Sequence, residues 1–109
     1  MGGREMREIL FRGKGADNQW QVVDLTQRGT GLVQIYPDTI GQYTGLDDKN
    51  GVKIFEGDIA KLYGCGKFPI LWKKAAFFIG RDCLIHFLSE DIEVIGNIHD
   101  NPELLEDIV

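Results

Sequence analysis

Four carboxylates near the middle of the chain have the type and spacing that could hold a hard cation. Asp47 and Asp48 open the segment DDKNG, and Glu56 and Asp58 flank a glycine shortly after it. Oxygen ligands of this kind suit calcium, magnesium or manganese, so a metal-dependent hydrolase is one hypothesis. Carboxylates in turns more often bond to neighbouring backbone amides, and we favour that interpretation. We therefore predict no metal ion and no other cofactor.

The two histidines are the residues that could act as a general base. His99 precedes Asp100 in the segment IHDN, and His86 lies in the apolar segment LIHFL. Adjacent side chains of a strand point to opposite faces, so Asp100 would not orient His99 there. No nucleophile can be assigned beside either histidine. We expect no catalytic residue, and a protein that is not an enzyme.

A third group combines positive charge with an aromatic ring. Lys73 and Lys74 directly follow Trp72, and Lys61 and Lys67 precede it. Bases stack on aromatic rings while lysines contact phosphates, so these five residues are the candidate nucleic-acid site. The whole chain has a net charge of −5, which opposes broad phosphate binding. We favour a solvated turn flanked by core residues.

The composition is that of an ordinary globular domain. The chain has 109 residues, of which 43% are hydrophobic and 27% charged, so disorder is not expected for most of it. Cys65 and Cys83 lack a zinc-site spacing and are predicted to be free thiols in a reducing cytoplasm. No apolar run has the roughly 20 residues of a membrane span, and the first residues lack the apolar core of a signal peptide. We expect a cytoplasmic protein without membrane contact.

Turn residues separate short runs of strand-forming residues along the chain. Asn50-Gly51 predicts a tight hairpin turn, and Glu56-Gly57-Asp58 a second sharp turn. Asn101-Pro102 predicts the start of a short helix. The predicted strands cover residues 9–11, 20–25, 32–36, 52–55, 59–63, two parts of 68–79 around Lys73-Lys74, 83–88 and 91–98.

Two segments of the chain are dense in glycine and acidic residues. The first is IGQYTGLDDKNGVKIFEGDIAKL, from Ile40 to Leu62, and the second is VIGNIHDNPELLEDI, from Val94 to Ile108. Together they resemble the YopX family of bacteriophage and prophage proteins. The likeness covers most of the chain from Met6 onward. One departure is Val23, where the pattern of relatives often has a glycine.

The resemblance implies a mainly β fold with minor α structure. We expect a small SH3-like, partly open β-barrel of short antiparallel strands, with an N-terminal hairpin and a short C-terminal helix. Residues 1–5 would be a flexible extension and residues 6–109 a single domain, with lobes over 6–38 and 39–109 as an alternative. The resemblance also implies a phage or prophage origin, and it carries no established activity.

The aromatic residues suggest how such a domain would act. Phe77 and Phe78 cannot both point inward from one strand, so one of them should face a second lobe, a helix or a partner subunit. We predict a non-enzymatic module that binds a host or phage protein, and leave a homo-oligomer open. Nucleic-acid binding through Lys61, Lys67, Trp72, Lys73 and Lys74 is the alternative, and a metal-dependent hydrolase is the third hypothesis.

Overall fold

The computed structural model describes residues 8–25 and 34–106, which form two antiparallel sheets and one short α-helix. The first sheet has the strand order β2-β1-β3-β4. Its strands are β1 (Leu10–Lys14), β2 (Trp20–Asp24), β3 (Gly41–Asp47) and β4 (Lys53–Phe55).

The second sheet has the strand order β8-β7-β6-β5-β9, so its last strand along the chain lies beside its first. The strands are β5 (Asp58–Leu62), β6 (Gly66–Lys73), β7 (Ala76–Ile79), β8 (Asp82–Cys83) and β9 (Ile92–Asn97). The helix α1 (Glu103–Glu106) packs against β6. Single 3-10 turns cover Pro37–Thr39, Leu84–His86 and Ser89–Asp91.

The chain passes from the first sheet to the second at Glu56 and Gly57. Gly57 has a φ of +92°, which a glycine adopts without steric cost. Its N–H donates to the carbonyl of Ile70 and its own carbonyl accepts from the N–H of Ile98, both at 2.8 Å. The sharp turn predicted at these residues is confirmed, and it is also the point where three segments of the chain meet.

Apolar side chains from both sheets form the main core. Along β5, Ala60 and Leu62 belong to the main core and Lys61 is exposed, whereas Ile59, before the irregularity in the pairing with β9, is also fully buried. A smaller cluster lies in the first sheet and consists of Leu10, Tyr43 and Phe55. The buried residues of the main core are Ile54, Ala60, Leu62, Ile70, Ile79, Leu84 and Ile92.

Most of the local predictions agree with the structure. The first hairpin pairs Leu10 with Asp24 and Lys14 with Trp20. The β3–β4 turn contains Gly51 with a φ of +78°. Two strands, β6 and β7, flank the lysine turn as predicted, and α1 follows Asn101-Pro102.

Two predictions differ from the structure. The mainly β class is confirmed, but the two sheets are not closed into a barrel, so the SH3-like barrel is not confirmed. The predicted strand over residues 83–88 is wrong. Only Asp82 and Cys83 pair with β7, and Leu84 then begins a 3-10 turn in which it is buried while Ile85 is 77% exposed. A local helical period, and not the alternation of a strand, places these side chains.

Some predictions fall outside the described residues. The extension at residues 1–5 lies there, as does the start of the strand predicted over 32–36. Gln34 to Tyr36 are described and form no strand, although the N–H of Tyr36 donates to the carbonyl of Lys14 at 2.8 Å. In the described part of the chain, no helix is long and apolar enough to cross a membrane.

Candidate functional site

Asp48 lies in the β3–β4 turn and directs its carboxylate toward backbone amides. Oδ1 accepts hydrogen bonds from the N–H groups of Asn50 (2.8 Å) and Val52 (2.9 Å). Oδ2 accepts a third from Val94 N–H in β9 at 2.9 Å. Burial alone would raise the pKa of Asp48, but the three backbone bonds outweigh it and hold that pKa below its usual value. The side chain therefore fastens the turn to the second sheet.

Asp58 begins β5 and bonds back to the first sheet. Its carboxylate accepts hydrogen bonds from Arg12 Nη2 at 2.5 Å and from Phe55 N–H at 2.7 Å. Burial raises the pKa of Asp58, against the opposing effect of the Arg12 charge. The Arg12 guanidinium also lies 4.6 Å from the ring centroid of Trp20 and 4.8 Å from that of Phe55. This pair links the two sheets through packed aromatic rings.

The four carboxylates considered as possible cation ligands form no metal-binding group in the described part of the chain. Asp47 accepts a hydrogen bond from the Tyr43 hydroxyl at 2.6 Å, and Glu56 lies at the crossing between the sheets. Within residues 8–25 and 34–106, no group of three or more possible ligands is placed to hold a metal ion. Because Asp48 and Asp58 are occupied by backbone amides and Arg12, the geometry does not support the hydrolase hypothesis.

The histidine near the end of β9 belongs to a contact between the sheets. His99 lies against Trp20, with 5.8 Å between the ring centroids. The neighbouring Asp100 carboxylate accepts hydrogen bonds from Lys14 Nζ, from Trp20 Nε1 at 2.8 Å and from Asn97 Nδ2 at 3.1 Å. The Lys14 bond, followed by the Trp20 bond, lowers the pKa of Asp100 to about 2. Asp100 thus anchors the first hairpin and does not orient His99.

The five residues of the candidate nucleic-acid site lie in two places. Lys61 and Lys67 face each other across β5 and β6. Lys73 and Lys74 lie at the other end of β6, about 20 Å away at the usual rise of a strand. Lys73 places its ammonium 4.7 Å from the ring centroid of Phe78, whereas Trp72, as its neighbour on the strand, points to the other face.

Trp72 instead forms a wall of a cleft between β3 and the β6–β7 hairpin. Its ring packs edge-on against Phe77, with 4.9 Å between centroids and 63° between planes, and 52% of the residue remains exposed. The larger lobe of the cleft has a volume of about 610 Å³. Its lining includes Ile9, Gln42, Tyr43, Thr44, Trp72 and Phe77.

A second lobe continues the cleft and is more apolar. It has a volume of about 260 Å³ and shares Thr44 and Phe77 with the larger lobe. The rest of its lining includes Leu46, Ala76, Leu84 and Ile85. Ile85 is exposed at its edge because the 3-10 turn after β8 turns this side chain outward.

An irregularity in β3 shapes the cleft. The register of β3 with β4 pairs Tyr43 with Phe55 and Asp47 with Lys53, so three residues of β3 stand opposite one of β4. Gly45 in this bulge has a φ of +88°, and the Thr44 hydroxyl accepts a hydrogen bond from Leu46 N–H at 3.2 Å. Bulges of this kind redirect side chains and often lie beside functional sites.

The sequence pointed to Trp72 and to one outward phenylalanine, but it did not predict the cleft. Phe77 faces the cleft and the main core, and Phe78 lies on the opposite face under Lys73. Thr44 and Ile85 were missed as site residues. Gly45, between Tyr43 and Leu46, was the available signal for a bulge.

Two glycines of the dense sequence segments lie where a larger side chain would clash with neighbouring atoms. A Cβ built on Gly41 would lie 2.3 Å from the carbonyl oxygen of Glu56, and one on Gly96 would lie 2.6 Å from Asn101 Oδ1.

Comparison with models of known families matches residues 4–106 to the model described as YopX protein. The chain belongs to the YopX family.

A solved structure supports this assignment. The chain is similar to protein EF1440 from Enterococcus faecalis, whose crystal structure it matches with a TM-score of 0.52 and 33% sequence identity. The match covers 87% of this chain and 74% of the other. Among curated proteins, no sequence matches the chain. The comparisons therefore assign a family and a fold, and they assign no activity.

Proposed function

We propose that this YopX-family protein is a non-enzymatic module that binds a partner protein through the cleft between β3 and the β6–β7 hairpin. The observation that carries the proposal is Trp72, which is 52% exposed although it packs on Phe77 at the cleft wall. Tryptophan side chains in such positions supply a large share of binding energy at protein interfaces. Burying the exposed part of the indole and of Ile85 would give a partner two apolar anchors.

Three carboxylates that could take part in catalysis are engaged by other groups of the protein, which supports a binding role. Asp48, Asp58 and Asp100 each accept hydrogen bonds from the protein itself. We therefore propose that the protein acts through a binding surface. The proposal also includes a phage or prophage setting and a cytoplasmic location, as expected from the sequence.

Nucleic-acid binding is the second candidate, and one observation favours it. Trp72 is exposed and precedes two lysines at the tip of a hairpin, a combination that allows stacking beside phosphate contacts. The separation of Lys61 and Lys67 from this tip leaves only a small basic surface there. Fluorescence anisotropy with labelled single-stranded DNA tests this candidate directly. Binding that Lys74→Glu abolishes would favour it over a protein partner.

The proposed function is tested by comparing two aromatic variants. Trp72→Ser removes the cleft wall, whereas Tyr63→Ser removes an aromatic residue that is 82% exposed outside the cleft. Both variants and the parent protein are used as bait in a bacterial lysate, and a protein retained by the parent is identified, purified and titrated by calorimetry.

We expect Trp72→Ser to weaken the purified complex by about thirtyfold or more, as for a residue that contributes about 2 kcal/mol. Tyr63→Ser should bind like the parent. Circular dichroism must show that both variants are folded. A purified partner that binds Trp72→Ser as tightly as the parent would refute the cleft as the docking surface.

A further inference from the structure

We propose that Asn50 is a site of spontaneous deamidation, and that the closed β3–β4 turn delays this modification. Asn50 alone among the four asparagines of the chain is followed by a glycine. Neither Asn50 nor Gly51 lines the cleft, so the inference is independent of the proposed function. It follows from the chemistry of the Asn-Gly pair, from the exposure of the turn and from the hydrogen bonds that close it.

The reaction needs only these two residues and water. The main-chain nitrogen of Gly51, once deprotonated, attacks the side-chain carbonyl carbon of Asn50, and ammonia leaves as a succinimide ring closes. Water then opens the ring at either carbonyl, and position 50 becomes an aspartyl or an isoaspartyl residue. No oxidant or reductant takes part. Glycine favours the attack because it has no side chain beside its nitrogen, and asparagine is a thermolabile residue.

The turn leaves Asn50 accessible but protects the attacking nitrogen. Asn50 and Gly51 are both exposed, and the φ of +78° at Gly51 explains why a glycine follows the asparagine here. The Gly51 N–H donates to the carbonyl of Asp48 at 3.0 Å. Loss of a main-chain amide proton also occurs in hydrogen exchange, where it requires the hydrogen bond to open. The nitrogen can therefore attack only while the turn is open.

Asp48 determines how often the turn opens. Its Oδ1 accepts hydrogen bonds from the N–H groups of Asn50 at 2.8 Å and Val52 at 2.9 Å, the two neighbours of Gly51. Its Oδ2 is held by Val94 N–H at 2.9 Å, and its own N–H donates to the carbonyl of Val52 at 2.8 Å. The side chain that fastens the turn to β9 therefore also slows the chemistry at position 50.

The modification loosens the attachment of the turn to the second sheet. An isoaspartyl residue lengthens the main chain by one carbon before position 51, which displaces the Gly51 N–H from the Asp48 carbonyl. Either product also adds a carboxylate close to Asp47 and Asp48, and like charges repel each other. The Lys49 N–H, directly before the modified position, donates to the carbonyl of Ile92 in β9 at 2.9 Å. Deamidation should thus weaken the link between the turn and β9.

Incubation of the full chain at mildly alkaline pH tests the inference. Peptide mapping by mass spectrometry follows the asparaginyl, aspartyl and isoaspartyl forms of position 50 with time. A synthetic peptide of residues 46–54 measures the rate without the fold. Three variants are compared with the parent for rate. Asp48→Ala frees the turn amides, Gly41→Ala is destabilised at the other end of β3, and Asn50→Gln would have to close a larger ring.

We expect position 50 to deamidate at least about tenfold more slowly in the parent than in the peptide, since the nitrogen is free only in the open fraction. Asp48→Ala should deamidate about three- to tenfold faster than the parent because the bonds that close the turn are lost. Gly41→Ala should keep the parent rate, and Asn50→Gln should be almost unreactive. The isoaspartyl form should melt at a lower temperature than Asn50→Asp, which has the charge without the longer main chain.

Four results would contradict the inference. A parent that deamidates as fast as the peptide would overturn it, because the turn would then give no protection. The absence of deamidation at position 50 in both the parent and Asp48→Ala would overturn it as well. Equal acceleration in Asp48→Ala and Gly41→Ala would show that global unfolding controls the reaction instead of the turn. An isoaspartyl form that melts like the parent would refute the effect on the attachment to β9.

Discussion

The hydrogen bonds of Asp48 allow a stability prediction to be worked out from the structure. Asp48→Ala removes a buried carboxylate that accepts three backbone N–H groups, at 2.8, 2.9 and 2.9 Å. The amides of Asn50 and Val52 belong to exposed residues and can turn to water, whereas Val94 is half-buried in β9. We therefore assign most of the loss to Val94 N–H.

An unsatisfied buried donor costs about 1–3 kcal/mol, and a lost bond to a charged group in a solvated turn costs about 0.5–1 kcal/mol. With two such turn bonds and one buried donor, Asp48→Ala should thus lower the free energy of unfolding by about 2–5 kcal/mol. Asp48→Asn retains one acceptor oxygen for the turn amides but none for Val94 N–H, and should lose more than half as much. Urea denaturation followed by fluorescence measures both values.

The effect of pH provides a second measurement of the same interaction. The pKa of Asp48 is held below its usual value in the folded protein, so its contribution is complete above the unfolded pKa of about 4 and is lost as the pH falls through the folded pKa. The stability difference between the parent and Asp48→Ala should therefore shrink below about pH 4.

The control is Glu56→Gln, a neutralised carboxylate at the neighbouring sheet crossing, for which we expect a change within about 0.5 kcal/mol. A loss below about 1 kcal/mol for Asp48→Ala would refute the reasoning, because the Val94 amide would then have found another partner. A stability difference that stays constant into acid would show that the carboxylate charge contributes nothing.

Three further predictions concern the backbone and the first hairpin. Ala75→Gly should raise the free energy of unfolding by about 0.5–1 kcal/mol, because glycine relieves the positive φ of the tip at some entropic cost; Ala76→Gly, in β7, should lower it. Gly41→Ala should cost about 1–3 kcal/mol or more, seen as a lower melting temperature, because its Cβ would lie 2.3 Å from a backbone carbonyl. The Trp20 indole N–H resonance should shift as the pH falls toward about 2, the pKa of Asp100, and should not shift in Asp100→Asn.

The features that the sequence predicted correctly are those decided by neighbouring residues. Asn50-Gly51 specifies its turn through backbone geometry, and Asn101-Pro102 specifies a helix start. The short strand-forming runs between recurring turns predicted the mainly β class, which is confirmed, and the family resemblance added the SH3-like barrel, which is not. The strand predicted over residues 83–88 rested on strand-forming residue types, whereas Leu84 and Phe87, three positions apart at a 3-10 turn, both pack into the main core.

The candidate site required contacts between residues far apart in the sequence. The cleft forms because Thr44, Phe77 and Ile85 come from three different segments, and no local pattern predicts that they meet. The sequence also did not predict the hydrogen bond between Asp48 and Val94, because the two residues are 46 positions apart. For the cleft and for Asp48, the residue types predicted that a partner was needed, since turn carboxylates bond to backbone amides and adjacent aromatic residues cannot all face one core. Which residue became the partner was decided by the fold.

The position of β9 beside β5 has a consequence for how the protein is made. Synthesis reaches β5 well before β9, so the edge of β5 stays unpaired on a ribosome-bound chain until residues 92–97 have emerged. The bonds from Asp48 to Val94 and from Trp20 to Asp100 also wait for this segment. Folding of both sheets can therefore be completed only after residues 92–100 have left the ribosome, and until then the nascent chain presents an open strand edge to chaperones and to other nascent chains.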